Sequence, residues 1–199
     1  MESIASIHRF WFGDHPDDAV VARQQSRLWW KKQPETDSMI RQRFAPWTAK
    51  AAARELDDWL ATPAGRLALI LLTDQFPRNM YRGTPQAFAF DELARTWAKE
   101  GLALGVQHSL RPIERVFLYL PLEHSESLED QDRSLALFEE LAANAAPAQK
   151  PAFDGFLDFA RRHRQVIERF GRFPHRNAIL GRASTPEELA FLRKKGSSF

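Results

Sequence analysis

Apolar positions recur at three- and four-residue spacing almost from end to end of this chain, and no stretch alternates long enough to mark a strand. The pattern predicts an all-α protein, one domain over residues 1–199, of about nine to ten helices. Helices are expected over 4–12, ending at Gly13, and over 17–32, with Asp17 or Asp18 as cap and Pro34 beyond the end. A further pattern covers 38–59, with Pro46 as a break or a new start. Pro63 opens a helix to 76, Thr84-Pro85 one to about 101, and Pro112 one to about 122. Long amphipathic candidates follow over 128–144 and 153–170. Thr185 and Glu188 form a capping box that starts the last helix, to about 194.

Two of these helices are apolar on every side: Leu67-Ala68-Leu69-Ile70-Leu71-Leu72 and Val116-Phe117-Leu118-Tyr119-Leu120-Pro121-Leu122. Such helices are buried. Each ends in polar residues, which therefore emerge from the core. After the first come Thr73-Asp74-Gln75-Phe76-Pro77-Arg78-Asn79, with Asp74 and Arg78 at ion-pair spacing if the turn stays helical past Pro77. After the second come Glu123-His124-Ser125-Glu126. His124 between two carboxylates has the makings of an acid/base group, whereas Ser125 and Glu126 read better as the cap and dipole partner of the next helix. A third motif, Gly171-Arg172-Phe173-Pro174-His175-Arg176-Asn177, ends the 153–170 helix at a natural glycine cap.

Its arginine forks suit carboxylates or phosphates; the alternative is that Arg172 and Arg176 pair with Asp74 or Glu123 across the fold. His163 reads as a core histidine among Phe159, Val166 and Phe170. Trp11, Phe12, Trp29 and Trp30 read as core aromatics, with Trp30 also placed to wall a pocket. The first and third motifs echo one another. Phe76-Pro77-Arg78-Asn79 precedes Gly83-Thr84-Pro85, and Phe173-Pro174-His175-Arg176-Asn177 precedes Gly181 and Thr185-Pro186. Recurring turn chemistry is the simpler account, a duplication the other.

Charge and composition narrow the function classes. The net charge is +2 and the densest basic run, Arg161-Arg162-His163-Arg164, spreads around a helix, so no nucleic-acid partner is expected. No cysteine is present, which removes thiolate catalysis, disulfides and zinc–thiolate sites. The apolar runs are too short to span a bilayer and no signal sequence is visible, so neither a membrane partner nor export is expected and the cytoplasm is the default. Nucleotide-loop and serine-elbow motifs are lacking, and His124, His175, Asp74 and Glu123 do not follow helical metal-ligand spacing, so no cofactor and no metal are predicted.

Taken together, Leu72 to Gly83, Phe117 to Glu126, Gly171 to Asn177 and Phe10-Trp11-Phe12-Gly13 resemble the signatures of a bacterial family, domain of unknown function 924. The likeness covers nearly the whole chain and departs at Thr73, where leucine is expected. It implies an all-helical fold of the tetratricopeptide-repeat-like superfamily and no established activity, so it assigns no catalytic residue.

Three readings remain. In the first, a pocket holds a small anionic ligand on Arg78, Asn79, Arg172, Arg176 and Asn177 with Trp30 as a wall, and His124 or His175, oriented by Glu123 or Asp74, acts as acid or base. In the second, the helical array presents a groove to a protein or peptide partner. In the third, the motifs form a buried network that fixes helix ends. Convergence in one closed pocket favours the first, and an open groove favours the second.

Overall fold

The computed structural model describes residues 2–197, among which no strand occurs. Helices α1 (Ile4–Phe12), α2 (Asp18–Trp30) and α3 (Pro34–Ala52) are followed by α4 (Pro63–Ile70), α5 (Phe76–Met80), α6 (Asp91–Ala103) and α7 (Pro112–Glu123). The chain then runs through α8 (Leu128–Ala143), α9 (Lys150–Phe170) and α10 (Pro186–Leu192). A π-turn, Leu71–Gln75, joins α4 to α5, so these two are one rod. The all-α expectation holds.

The caps act as their chemistry requires. Ser3 and Thr185 form capping boxes at α1 and α10, and Asp17 accepts from the amides of Ala19 and Val20. Gly13 and Gly171, both at positive φ, end α1 and α9.

Three expectations are corrected. α3 runs straight through Pro46, because Pro46 and Gln42, whose carbonyl loses its partner, are both exposed to water. That helix stops at Ala52, where Arg54 takes a left-handed φ of 65°, a break that no glycine announces. The stretch after Thr84 is a 3₁₀ turn, Pro85–Phe88, and α6 begins only at Asp91.

α4 lies at the centre, packed against α1, α6 and α7, and residues Leu67–Leu72, which run from it into the π-turn, are fully buried. Rings from five helices close around it. Trp29 and Phe117 stand 4.7 Å apart and Phe44 and Phe76 4.6 Å, while the Trp29 indole donates to the Trp11 carbonyl at 2.9 Å. α8 packs along both α7 and α9. Among the described residues no helix is long and apolar enough to cross a membrane.

Candidate functional site

The site begins where the central rod changes pitch. Pro77 has no N–H, so an α-helix running through it would leave the Thr73 carbonyl without a donor and press the ring against it. The chain instead widens for one turn, and the Phe76 amide donates to Leu71, five residues back. Side chains take the carbonyls of this segment: the Thr48 hydroxyl donates to Leu72 at 2.8 Å, that of Thr73 to Leu69 at 2.8 Å and Arg78 to Asp74 at 2.7 Å. Such turns recur at functional sites, and this one sets Asp74 fully inside the protein.

The Asp74 carboxylate is held on all sides. His124 Nδ1 lies 2.8 Å from Oδ1, Arg78 Nη1 3.2 Å from the same oxygen, and the Gln75 amide donates to Oδ2. Burial pushes its pKa up, but Arg78, His124 and Gln75 outweigh that and hold it at about 2. Arg78 also grips Asp91 with both arms, at 2.8 and 2.9 Å. His124 caps the end of α7. Burial and the Arg78 charge lower its pKa, with Asp74 opposing, so the ring is neutral at pH 7. An ionised Asp74 then fixes the tautomer with the proton on Nδ1 and leaves the Nε2 lone pair as a base.

Beside these residues opens a cavity of about 610 Å³. Of the residues expected at a site, Arg78, Asn79, Glu123, His124, His175, Arg176 and Trp30 line it, and Asp74 stands directly behind His124 and Arg78. The third motif reaches it through the turn Pro174–Arg176. Arg176 is 7% exposed, lies over the rings of Phe88 and Phe173 at 4.8 and 4.5 Å, and approaches Asp91 at 3.6 Å. Its guanidinium donates no hydrogen bond among the described residues, and Nε is fully buried. Burial and the nearby Arg78 lower its pKa to about 10, so it stays charged at pH 7. Burial, with Arg176 next in weight, lowers His175 to about 3.

Arg172 and Asn177 do not line the cavity. Arg172 forks onto Glu188 at 2.6 and 2.8 Å and Asn177 donates to Glu188 and Ser184, binding the third motif to α10. Neither arginine of that motif pairs with Asp74 or Glu123: Arg172 takes Glu188 and Arg176 leans on Asp91. Ser127 rather than Ser125 starts α8, and Ser125 serves as donor to Asp130 at 2.7 Å. Glu126 is no dipole partner. It accepts from the Phe173 amide at 2.8 Å and from both arms of Arg182, at 2.7 and 2.9 Å, and so tethers the third motif to the second. His163 is the expected core histidine, with Nδ1 2.9 Å from the Phe159 carbonyl and 3.0 Å from Glu123. Among the described residues no group of three histidines and acids is placed to hold a metal ion.

Asp91, Phe88 and Gly155 belong to the site and went unread in the sequence, and Gln75 was read only as part of the first motif. A glycine inside a helical pattern was the available signal for Gly155. Nothing local marked Asp91, which lies between the two arginines. The echo of motifs has a spatial counterpart: Arg78 and Arg176 meet on Asp91 and share Phe88.

The model of the family described as bacterial protein of unknown function, DUF924, matches residues 7–196, and the chain belongs to that family. A solved structure of a protein of unknown function from Agrobacterium tumefaciens, ATU0120, is 38% identical and superposes with a TM-score of 0.81, over 96% of this chain and 97% of that one. No curated protein matches.

Proposed function

We propose that this member of the family binds a small molecule with a monoanionic head in the cavity, anchors that head on Arg176 and presents it to His124 as general base. The observation that carries the reading is the Arg176 guanidinium, 7% exposed and without a hydrogen bond among the described residues, beside a cavity. A buried charge with unused donors is costly unless something pairs with it. A carboxylate meets the planar fork with two parallel hydrogen bonds. A phosphate dianion suits the site less, because Asp74 and Asp91 already stand against Arg78 and Arg176. In a reaction, His124 Nε2 takes a proton from the bound molecule or from water, and the Asp74 carboxylate balances the imidazolium.

The test is calorimetry and NMR titration with acetate and inorganic phosphate. Acetate is expected to bind and phosphate not, and Arg176→Met weakens acetate by about 10- to 100-fold. Equal acetate binding by both proteins sinks the reading. The base is checked by following the His124 ring on pH titration, with a pKa below the ordinary 6.5 expected and an upward shift refuting it.

A second reading takes the tetratricopeptide-like resemblance as its guide and places a peptide in the cavity. The half-exposed Trp30 and Phe159 at its lining favour it. Binding of acetate alone separates the two, since a peptide groove requires the longer chain.

A further inference from the structure

Resting on that reading, we infer that the ligand is a monocarboxylate with an extended apolar body, which enters head first and is clasped at the mouth by Trp30 and Phe159 across a gap that Gly155 keeps open.

The cavity has two unlike ends. Val116, Leu120, Glu123 and His124 of α7 all line it, so it runs roughly 12 Å along that helix. α9 follows α7 in the same sense: His163 meets Glu123 at 3.0 Å, whereas one helical stretch earlier Phe156 and Phe117 both pack on Trp30, at 6.1 and 5.9 Å. The charged groups thus gather at one end, with Phe88 beneath the two arginines, while Trp30 and Phe156 stand at the other.

Burial then orders the ends. At the charged end Glu123 and Arg176 are 3% and 7% exposed, while Trp30 and Phe159 are each 50% exposed. Polar groups inside and large rings outside invert the usual arrangement of a protein surface. Exposed rings around an opening mark a surface that something apolar covers. A ligand lying head inward and body outward satisfies both ends at once.

Ala152, Gly155, Phe156 and Phe159 form the α9 stripe that faces this body, at i, i+3, i+4 and i+7. Gly155 sits well inside a 21-residue helix, where glycine weakens the helix relative to alanine. Packing does not demand it, since a Cβ there meets no heavy atom within 4 Å. The small residue leaves room in the mouth.

The experiment compares octanoate with acetate on the wild type, Gly155→Phe and Trp30→Ala, with Gly155→Ala as control. Octanoate is expected to bind the wild type at least about 100-fold more tightly than acetate, since each buried methylene adds roughly fourfold. Both larger changes should cut that ratio by about tenfold or more and leave acetate unchanged. Gly155→Ala should raise Tm by about 1–4 °C and keep the ratio within about threefold. If the ratio survives in Gly155→Phe and Trp30→Ala while Arg176→Met still loses acetate, the apolar mouth is refuted and the anion pocket stands. If the wild type binds acetate but octanoate no better, the same conclusion follows. If it binds neither, both fail.

Discussion

The two Phe-Pro turns build the same residue into opposite situations. Arg78, two residues after Phe76, donates to the Asp74 carbonyl at 2.7 Å and to both oxygens of Asp91. Burial works against its charge, yet Asp74 and Asp91 raise its pKa overall. Arg176, in the matching turn, reaches the same Asp91 only at 3.6 Å, and its pKa is lowered to about 10. Asp91 is already spent on Arg78. The difference teaches that a buried arginine is structural or available according to who holds its carboxylate, a property that the local sequence does not encode. One turn fixes the end of the central rod, and the other holds out an unspent cation.

The largest effect is expected from Arg78→Met. It leaves Asp74 and Asp91 without their main partner inside the protein, at a cost of about 3–5 kcal/mol. For a chain of this length that lowers Tm by roughly 6–20 °C. Adding Asp91→Asn to Arg78→Met should restore part of the loss, because it removes one stranded charge. Strictly additive single changes in the double-mutant cycle would break the claim that Arg78 is bound by Asp91.

Acid comes next. Both His124 and His175 have folded-state pKa values below the ordinary 6.5, so folding favours the neutral rings. Below that pH the unfolded chain binds protons that the folded one refuses, so their contribution is present above about 6.5 and is lost as pH falls; for His175 the loss continues toward about 3. The slope is at most about 1.4 kcal/mol per pH unit per group. Asp74 and Glu188, each held at about 2, extend the loss from the carboxylate range downward, Glu188 through its fork with Arg172. Urea unfolding at pH 7, about 6 and about 5 should show a shallower decline in His175→Asn than in the wild type. A decline of equal slope would show that His175 is not held neutral. Because Arg176 is one of the charges that depress His175, that ring should titrate at higher pH in Arg176→Met.

The sequence made much of the site legible through one feature, polar residues placed directly after wholly apolar helices. Asp74 and Glu123 had to be inside because Leu67–Leu72 and the α7 run had to be, with Arg78 and His124 half-buried beside them. Their mutual geometry was out of reach, since the π-turn answers both to Pro77 and to the Thr48 hydroxyl of another helix. Arg172, Arg176 and Asn177 share one short motif, yet the tight turn Pro174–Arg176 sends Arg176 to the cavity while Arg172 and Asn177 meet on Glu188 of α10. Sequence proximity gave no means of sorting them. The end of α3 escaped for a related reason, because Arg54 is not a residue type that signals a left-handed break.

The smallest effect on stability and the most diagnostic is that of Arg176→Met itself. An arginine woven into the fold would cost as much to remove as Arg78. Arg176 has no hydrogen bond to lose among the described residues, and Asp91 keeps both bonds from Arg78 when it is gone. What leaves is a desolvated cation, and what replaces it is a flexible apolar chain suited to the rings of Phe88 and Phe173. Such exchanges are often neutral or stabilising, so Tm is expected to hold or rise while acetate binding collapses. Stability that costs nothing to gain at a buried position points to a residue kept for what it binds. A fall in Tm matching that of Arg78→Met would place both arginines in one structural network, and the contrast between the two turns would disappear.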